Sequence, residues 1–165
     1  VTTKGAIHLK TFVHADNMIM IVKATTEGEE KDFQWEWIAA EANSPRYPFF
    51  KNQDKMDKIP QDYQLNPAAE ISQKNDINLS TQKLLAGGET VVGWQESKAE
   101  KGERILWINL THTYPQTNAG EICMKEIKKA GRQGFKKLQS THRKWCNAYY
   151  PASFITLPEI QKENF

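Results

Sequence analysis

The chain has little cysteine and no long apolar run. Its two cysteines, Cys123 and Cys146, form neither a CxxC pair nor a Cys/His spacing of the zinc-binding kind. The longest uninterrupted apolar stretch covers only 18–22, far short of the roughly 18 residues that a membrane helix needs. The sequence therefore predicts two packing cysteines, no metal site and no membrane partner.

The chain also lacks the common short motifs of catalysis and cofactor binding. No glycine-rich phosphate loop is present, and Gly87-Gly88 stands between two strand patterns, where a hairpin turn explains it. No serine stands in a GxSxG motif. The four histidines are dispersed, and His14 with Asp16 is too small a set for a metal. We predict no cofactor.

Carboxylates are plentiful, but the sequence places no two of them across a cleft. Glycoside hydrolysis needs one carboxyl group as acid and a second as base or nucleophile. The acidic residues at 27–32 cluster in a turn, where solvated charge is the expected role. We assign no catalytic residue, and an enzyme complete in 165 residues is the least favoured of three function classes.

Charge of one sign is concentrated in a single region. The net charge is +2, yet 118–150 carries eight basic and two acidic residues, a net +6 that leaves −4 on the rest. A solvated helix face that complements an acidic body accounts for this distribution. So balanced a chain gives only a weak footprint for nucleic acid, and we predict no nucleic-acid partner.

What the sequence does contain is a change of pattern near Thr117, from short strand-like runs to a long helical tract. Six runs predict antiparallel strands over 6–13, 18–22, 33–37, 77–85, 89–95 and 104–113. In the first, alternation places Leu9 and Val13 inward. In the third, Phe33, Trp35 and Trp37 share one face, which predicts the strongest core strand. The pattern is typical of an antiparallel β-sandwich or a piece of one.

A long excursion over 40–75 interrupts the strands. Prolines are spread through it and no periodicity organises it, so it is predicted to be a loop, the kind of segment that often carries function. Arg46 offers a fixed fork of donors and Tyr47 a ring for a sugar face, which makes them the candidate substrate-binding residues. The alternative is a proline-stiffened strap that Phe49 and Phe50 plug into the core.

Two tryptophans deserve the same question as Tyr47. Exposed aromatic rings stack on sugars, so Trp94 and Trp107 are possible carbohydrate platforms. Burial in the core is the alternative for both.

The helical tract has its own punctuation. Asn118 and Glu121 are spaced as a capping pair, and Pro151 is predicted to end the second helix. Glycines at 131 and 134 are predicted to divide the tract into two helices. Apolar residues recur every three or four positions, which predicts one packed stripe: Cys123, Ile127, Ala130, Gly134, Leu138, Thr141, Trp145 and Tyr149.

The order of these motifs resembles a known family. The segments IHLKTFVHADNMIMIVKATTEGEEKDFQWEWI, STQKLLAGGETVVGWQE, ILWINLTHTYP and GFKKLQSTHRKWCNAYYPASFITL cover most of the chain. Together they resemble the later part of the N-terminal β-supersandwich, and the linker helices after it, of bacterial glycoside hydrolases of the α-L-fucosidase type (glycoside hydrolase family 95 and relatives). The most specific pieces are FVHAD, LLAGGETVVGWQE and the run of Leu138, His142 and Trp145.

The resemblance implies a galactose-mutarotase-like sandwich over 1–116, with its loop at 40–75, and a helical linker with an extended tail over 117–165. In such enzymes the linker docks a following (α/α)6 barrel that holds the catalytic carboxylates, so none is carried over here. Two departures stand out: the strands are fewer than a supersandwich needs, and Cys146 stands where related linkers often have a second aromatic residue.

Two functions from different classes follow from this. The first is a non-catalytic N-terminal module of a carbohydrate-active hydrolase, with carbohydrate bound through the parent enzyme, the barrel as partner and a periplasmic or secreted location. The alternative is an autonomous carbohydrate-binding or protein-interaction module.

Overall fold

A computed structural model describes residues 4–98 and 103–152, and its centre is one six-stranded antiparallel sheet. Along the sheet the strands lie in the order β1-β2-β6-β5-β4-β3. The prediction of a mainly β chain with C-terminal helices is confirmed. The strands are β1 (Gly5–Val13), β2 (Ile19–Gly28), β3 (Glu70–Lys74), β4 (Ile77–Lys83), β5 (Glu89–Lys98) and β6 (Arg104–Thr113).

Three α-helices accompany the sheet. The short α1 (Arg46–Asn52) lies in the excursion, and α2 (Ala119–Gln133) and α3 (Phe135–Ala152) follow the last strand. Two single 3-10 turns cover Glu30–Asp32 and Met56–Lys58. Within the described ranges, no helix combines the length and apolar character that crossing a bilayer requires.

The core lies between one face of the sheet and α2. Ile21 pairs with Trp107 across β2 and β6, and both side chains are buried on this face. From the helix, Cys123 and Ile127 meet the sheet at Gly93, where an added Cβ would stand 2.5 Å from the Cys123 sulfur. A glycine inside a strand therefore marks the place where the helix comes closest to the sheet.

The opposite face of the sheet, which we call the outer face, is covered in part. Leu9, Val13 and Leu110 are each more than half exposed there, and Met20 is also exposed. The predicted inward face of β1 is therefore wrong, because the helical layer covers the other side, where Phe12 packs against the core. The described residues contain one sheet, so the second layer of a sandwich is not among them.

The predicted core strand over 33–37 is also wrong. This segment is extended but joins no ladder, and it crosses the outer face. Trp37 stacks on Trp94 of β5 with ring centroids 5.4 Å apart. The Arg104 guanidinium donates to the Phe33 carbonyl oxygen and lies 4.0 Å from its ring. The alternating aromatic residues thus report contact with a sheet face rather than a place in the sheet.

The excursion over 40–75 contains two elements that the sequence pattern did not predict, α1 and β3. All five residues of β3 are exposed, so no hydrophobic alternation marks it. It pairs with β4 across a turn in which Asn75 and Asp76 have φ of 51° and 60°. Asn and Asp tolerate such left-handed conformations, and this favours a tight hairpin.

The other five predicted strands are confirmed: β6 has the predicted ends, and the other four differ at one end or both. The division of the helical tract is confirmed at Gly134, which has φ of 77°, whereas Gly131 lies inside α2. Pro151 lies inside α3, so the prediction that it ends the helix is wrong. The predicted tail after Ala152 lies outside the described residues.

The cap of α2 comes from the sheet. Asn118 occupies the cap position, but its side chain makes no capping hydrogen bond, so the predicted Asn118–Glu121 pair is wrong. Instead the buried carboxylate of Glu89 accepts the Ala119 amide proton at 2.9 Å. A carboxylate at a helix N-terminus satisfies a free amide and opposes the helix dipole. A buried hydrogen bond from the helix to a strand carboxylate therefore joins α2 to β5 in addition to their apolar packing.

Candidate functional site

Arg46 and Tyr47 line the same pocket, beside α1. The cavity has a volume of about 270 Å³, and its wall also includes Phe50, Lys58, Ile59 and Tyr63. Tyr47 stacks on Tyr63 at 5.6 Å, and the Tyr63 hydroxyl accepts the Ser44 amide at 3.1 Å. Within the described residues the Arg46 guanidinium makes no hydrogen bond or ion pair. The structure thus places Arg46 and Tyr47 in one pocket with a second cation, Lys58, and a second phenol, Tyr63.

The strap alternative is wrong in its main point. Phe49 is more than half exposed, and α1 buries none of its residues. Phe49 and Phe50 contact each other edge to face at 5.5 Å instead of entering the core. The reason is that the core closes between the sheet and α2, away from α1.

The two candidate tryptophans differ in their surroundings. Trp107 is buried, and its indole N–H donates to the Ser97 hydroxyl at 2.9 Å, which confirms the packing alternative. Trp94 lies on the outer face beneath Trp37. Beside Trp37 is a cleft of about 320 Å³, whose polar wall includes Ser80, Gln82 and Thr90. Trp37, which the sequence assigned to a core strand, thus forms part of the wall of this cleft.

The C-terminal half of α3 carries a row of rings in contact, which we call the α3 aromatic stripe: His142, Trp145 and Tyr149, which are stacked, and Tyr150, which meets Tyr149 edge to face. The stripe begins where His142 stacks on Phe12 of β1, at 5.1 Å. Trp145 and Tyr149 follow, 4.7 Å apart and nearly parallel. Trp145 is 40% exposed, Tyr149 51% and Tyr150 64%. The predicted stripe is therefore buried only as far as Leu138 and faces outward beyond it.

A buried histidine fastens the base of this stripe. His14 is 3% exposed, and its Nε2 lies 2.8 Å from the Thr141 hydroxyl of α3. Its Nδ1 accepts the amide protons of Asp16 and Asn17, so the proton of the neutral ring must be on Nε2. Burial lowers the pKa of His14, with Asp16 opposing and His142 adding to the effect. The pair of His14 and Asp16 is a turn contact.

The two cysteines have different surroundings. Cys123 is fully buried, and desolvation raises the pKa of its thiol to about 11, which disfavours the nucleophilic thiolate. Cys146 lies beside the stripe, with its sulfur 3.5 Å from His142 Nε2. The predicted packing role is confirmed for Cys123.

The carboxylates nearest the sheet have structural partners. Glu103 pairs with Lys23 at 2.6 Å, Glu96 pairs with Arg104, and Glu89 caps α2. Across 4–98 and 103–152, no group of three His, Cys, Asp or Glu side chains is arranged to hold a metal ion.

A scan against models of known protein families, a search of curated proteins and a search of solved structures found no match. The site is therefore interpreted from its own geometry.

Proposed function

We propose that this chain is a non-catalytic N-terminal module of a carbohydrate-active glycoside hydrolase, and that it supports a catalytic barrel that follows it. The observation that carries the proposal is the α3 aromatic stripe. Large aromatic side chains near the centre of a protein interface supply much of its binding energy. Here they are held in stacked order by Phe12 and by the His14–Thr141 contact, yet exposed. The barrel is the proposed occupant.

The outer face gives a second reason to expect further protein. Leu9, Val13, Met20 and Leu110 expose aliphatic surface on one side of an otherwise packed sheet. Contiguous apolar patches of this kind mark interaction surfaces. A second sheet packed there would complete the antiparallel, supersandwich-like arrangement that the resemblance implies, with strands supplied by the rest of the parent enzyme.

We propose that the parent enzyme binds carbohydrate and that the pocket of Arg46 and Tyr47 lies at the rim of its sugar site. Guanidinium groups bind sugar oxygens in a fork, and phenol rings stack on sugar faces. The pocket stands on the excursion between β2 and β3, outside the packed core, where a neighbouring domain has access to it. A periplasmic or secreted location belongs to the same proposal.

The chain itself is proposed to be inactive on glycosides. An acid and a base must face each other across the substrate, and the carboxylates around the sheet are engaged in capping and ion pairs. The test is an assay of the purified chain on aryl glycosides. No turnover is expected, whereas hydrolysis that disappears when one of its own carboxylates is replaced would overturn the assignment.

A second function, an autonomous carbohydrate-binding or protein-interaction module, is favoured by Trp37 and its cleft. A stacked indole pair beside Ser80 and Thr90 is a surface on which a sugar could dock. The distinguishing experiment measures binding of neutral oligosaccharides to the chain alone. Loss of binding in Trp37→Ala would favour the autonomous module; binding seen only in the parent enzyme, and reduced by Arg46→Ala, would favour the first function.

A further inference from the structure

A separate cavity opens between α2 and β5, on the helical side of the sheet. Its volume is about 420 Å³, within the range of roughly 300–1,000 Å³ that is usual for small-molecule sites. It belongs neither to the pocket of Arg46 nor to the α3 aromatic stripe. Its wall consists of Gln95, Ser97, Trp107, Lys128, Gly131 and Arg132.

Four polar side chains line this cavity, and three of them have no partner within the described residues. Lys128 and Arg132 stand one turn apart on α2, and neither makes a hydrogen bond or an ion pair within the described residues. The Gln95 amide is equally free there. The Ser97 oxygen accepts the Trp107 indole proton at 2.9 Å, which leaves the hydroxyl proton of Ser97 to donate.

The charge of the cavity is unbalanced. Among the described residues, two cations line it and no carboxylate does. Arg132 lies in the last turn of α2, where a cation also offsets the helix dipole. Compensation of the helix dipole does not account for the position of Lys128, which lines the cavity together with Gln95 and Ser97 of β5. By contrast Lys129 of the same helix turns to Glu126, 3.5 Å away, and Lys125 lies outside the cavity.

We propose that this cavity binds a sugar or similar polyol that carries an oxyanion: a carboxylate, a phosphate or a sulfate. Arg132 and Lys128 hold the oxyanion, because a guanidinium fork and an ammonium group bind such oxygens in charge-assisted hydrogen bonds. Gln95 and Ser97 bind the neighbouring hydroxyl groups. The site is built from this chain alone and does not depend on a following barrel.

The experiment is a titration of the chain by calorimetry and NMR with glucuronate, glucose 6-phosphate and glucose 6-sulfate, against glucose as the neutral probe. We expect at least one of the three to bind about tenfold or more tightly than glucose, and the strongest identifies the oxyanion. Lys128→Gln and Arg132→Gln should each weaken that binding about tenfold, whereas Lys125→Gln, the same change outside the cavity, should leave it unchanged.

Gln95→Leu tests the hydroxyl contacts without removing charge. It should weaken the sugar ligand while leaving inorganic phosphate or sulfate unaffected, and it keeps the proposal testable if Arg132→Gln does not fold. Three results would overturn the proposal: no binding of any of the three ligands, equal weakening by Lys125→Gln and Lys128→Gln, or glucose binding as tightly as its anionic derivatives.

Discussion

Two helices of similar length, α2 and α3, follow the same sheet and have different fates. Both have an apolar stripe, yet α2 buries five residues and α3 buries only Phe135 and Leu138, in its first turn. The difference is one of coverage rather than pattern, because α2 crosses the sheet while α3 projects beyond it. The rings of the α3 aromatic stripe stay 40% to 64% exposed at Trp145, Tyr149 and Tyr150, and this ring-rich composition distinguishes the stripe from the small and aliphatic stripe of α2.

The largest effect should come from the covered helix. Ile127 of α2 is fully buried, and Ile127→Ala should lower the free energy of unfolding by about 2–5 kcal/mol through lost burial and a cavity. Chemical denaturation measures it. The matched control is Ile122→Ala on the same helix, where the side chain is partly exposed and the cost should be well under half as large. Equal costs would mean that α2 does not dock as described.

The fastening of α2 to β5 should give the next effect. Glu89→Ala removes the carboxylate that accepts the Ala119 amide proton, which should cost about 1–3 kcal/mol of stability. Hydrogen exchange at the Ala119 amide should also accelerate. Glu121→Ala, an exposed acidic residue in the same first turn, is the control and should change little. Equal losses of stability in Glu89→Ala and Glu121→Ala would mean that the effect comes from removing negative charge near the helix N-terminus and not from the hydrogen bond to Ala119.

The attachment of α3 should be sensitive to acid. Because the pKa of His14 is lowered from its usual 6.5 in the folded state, folding favours the neutral ring, whose Nδ1 accepts two amide protons. Its contribution to stability is complete above pH 6.5 and declines as pH falls below 6.5 through the lowered pKa. His14→Gln should flatten this part of the stability profile, while His8→Gln, at an exposed position, should not.

The smallest effect on this chain should come from the uncovered stripe. Trp145 is 40% exposed and rests mainly on Tyr149 and His142, so Trp145→Ala should cost under about 1 kcal/mol. A loss as large as that of Ile127→Ala would show that the stripe already has its partner within this chain.

The comparison also shows what sequence patterns can predict. Burial of Cys123, Ile127 and Leu138 follows from helical spacing, since one face of a helix must meet the sheet. Helical spacing does not show where the sheet ends, so it also predicted burial of Trp145. The prediction of a core strand at Phe33 and Trp37 was wrong for a related reason. Alternation of apolar and polar residues shows that one side of an extended segment is covered, but not whether the segment is hydrogen-bonded within a sheet or lies across its face.

Contacts between distant residues were beyond any local pattern. Glu89 caps a helix thirty residues away, and His14 meets Thr141 across 127 positions. Arg46 and Tyr47 were candidates because long loops often carry function, but no motif marks Tyr63, 16 positions beyond Tyr47, as the ring that stacks on it.

The central claim is that the α3 aromatic stripe is an interface inside a larger enzyme. The direct measurement is the cost of Trp145→Ala in two settings, this chain alone and the longer parent enzyme proposed above, each by equilibrium denaturation with hydrogen exchange along α3. We predict a cost under about 1 kcal/mol in the chain alone and about 2 kcal/mol or more in the parent, because a covered tryptophan loses its partner surface. The same small cost in both, or a gene that encodes nothing after Phe165, would contradict it.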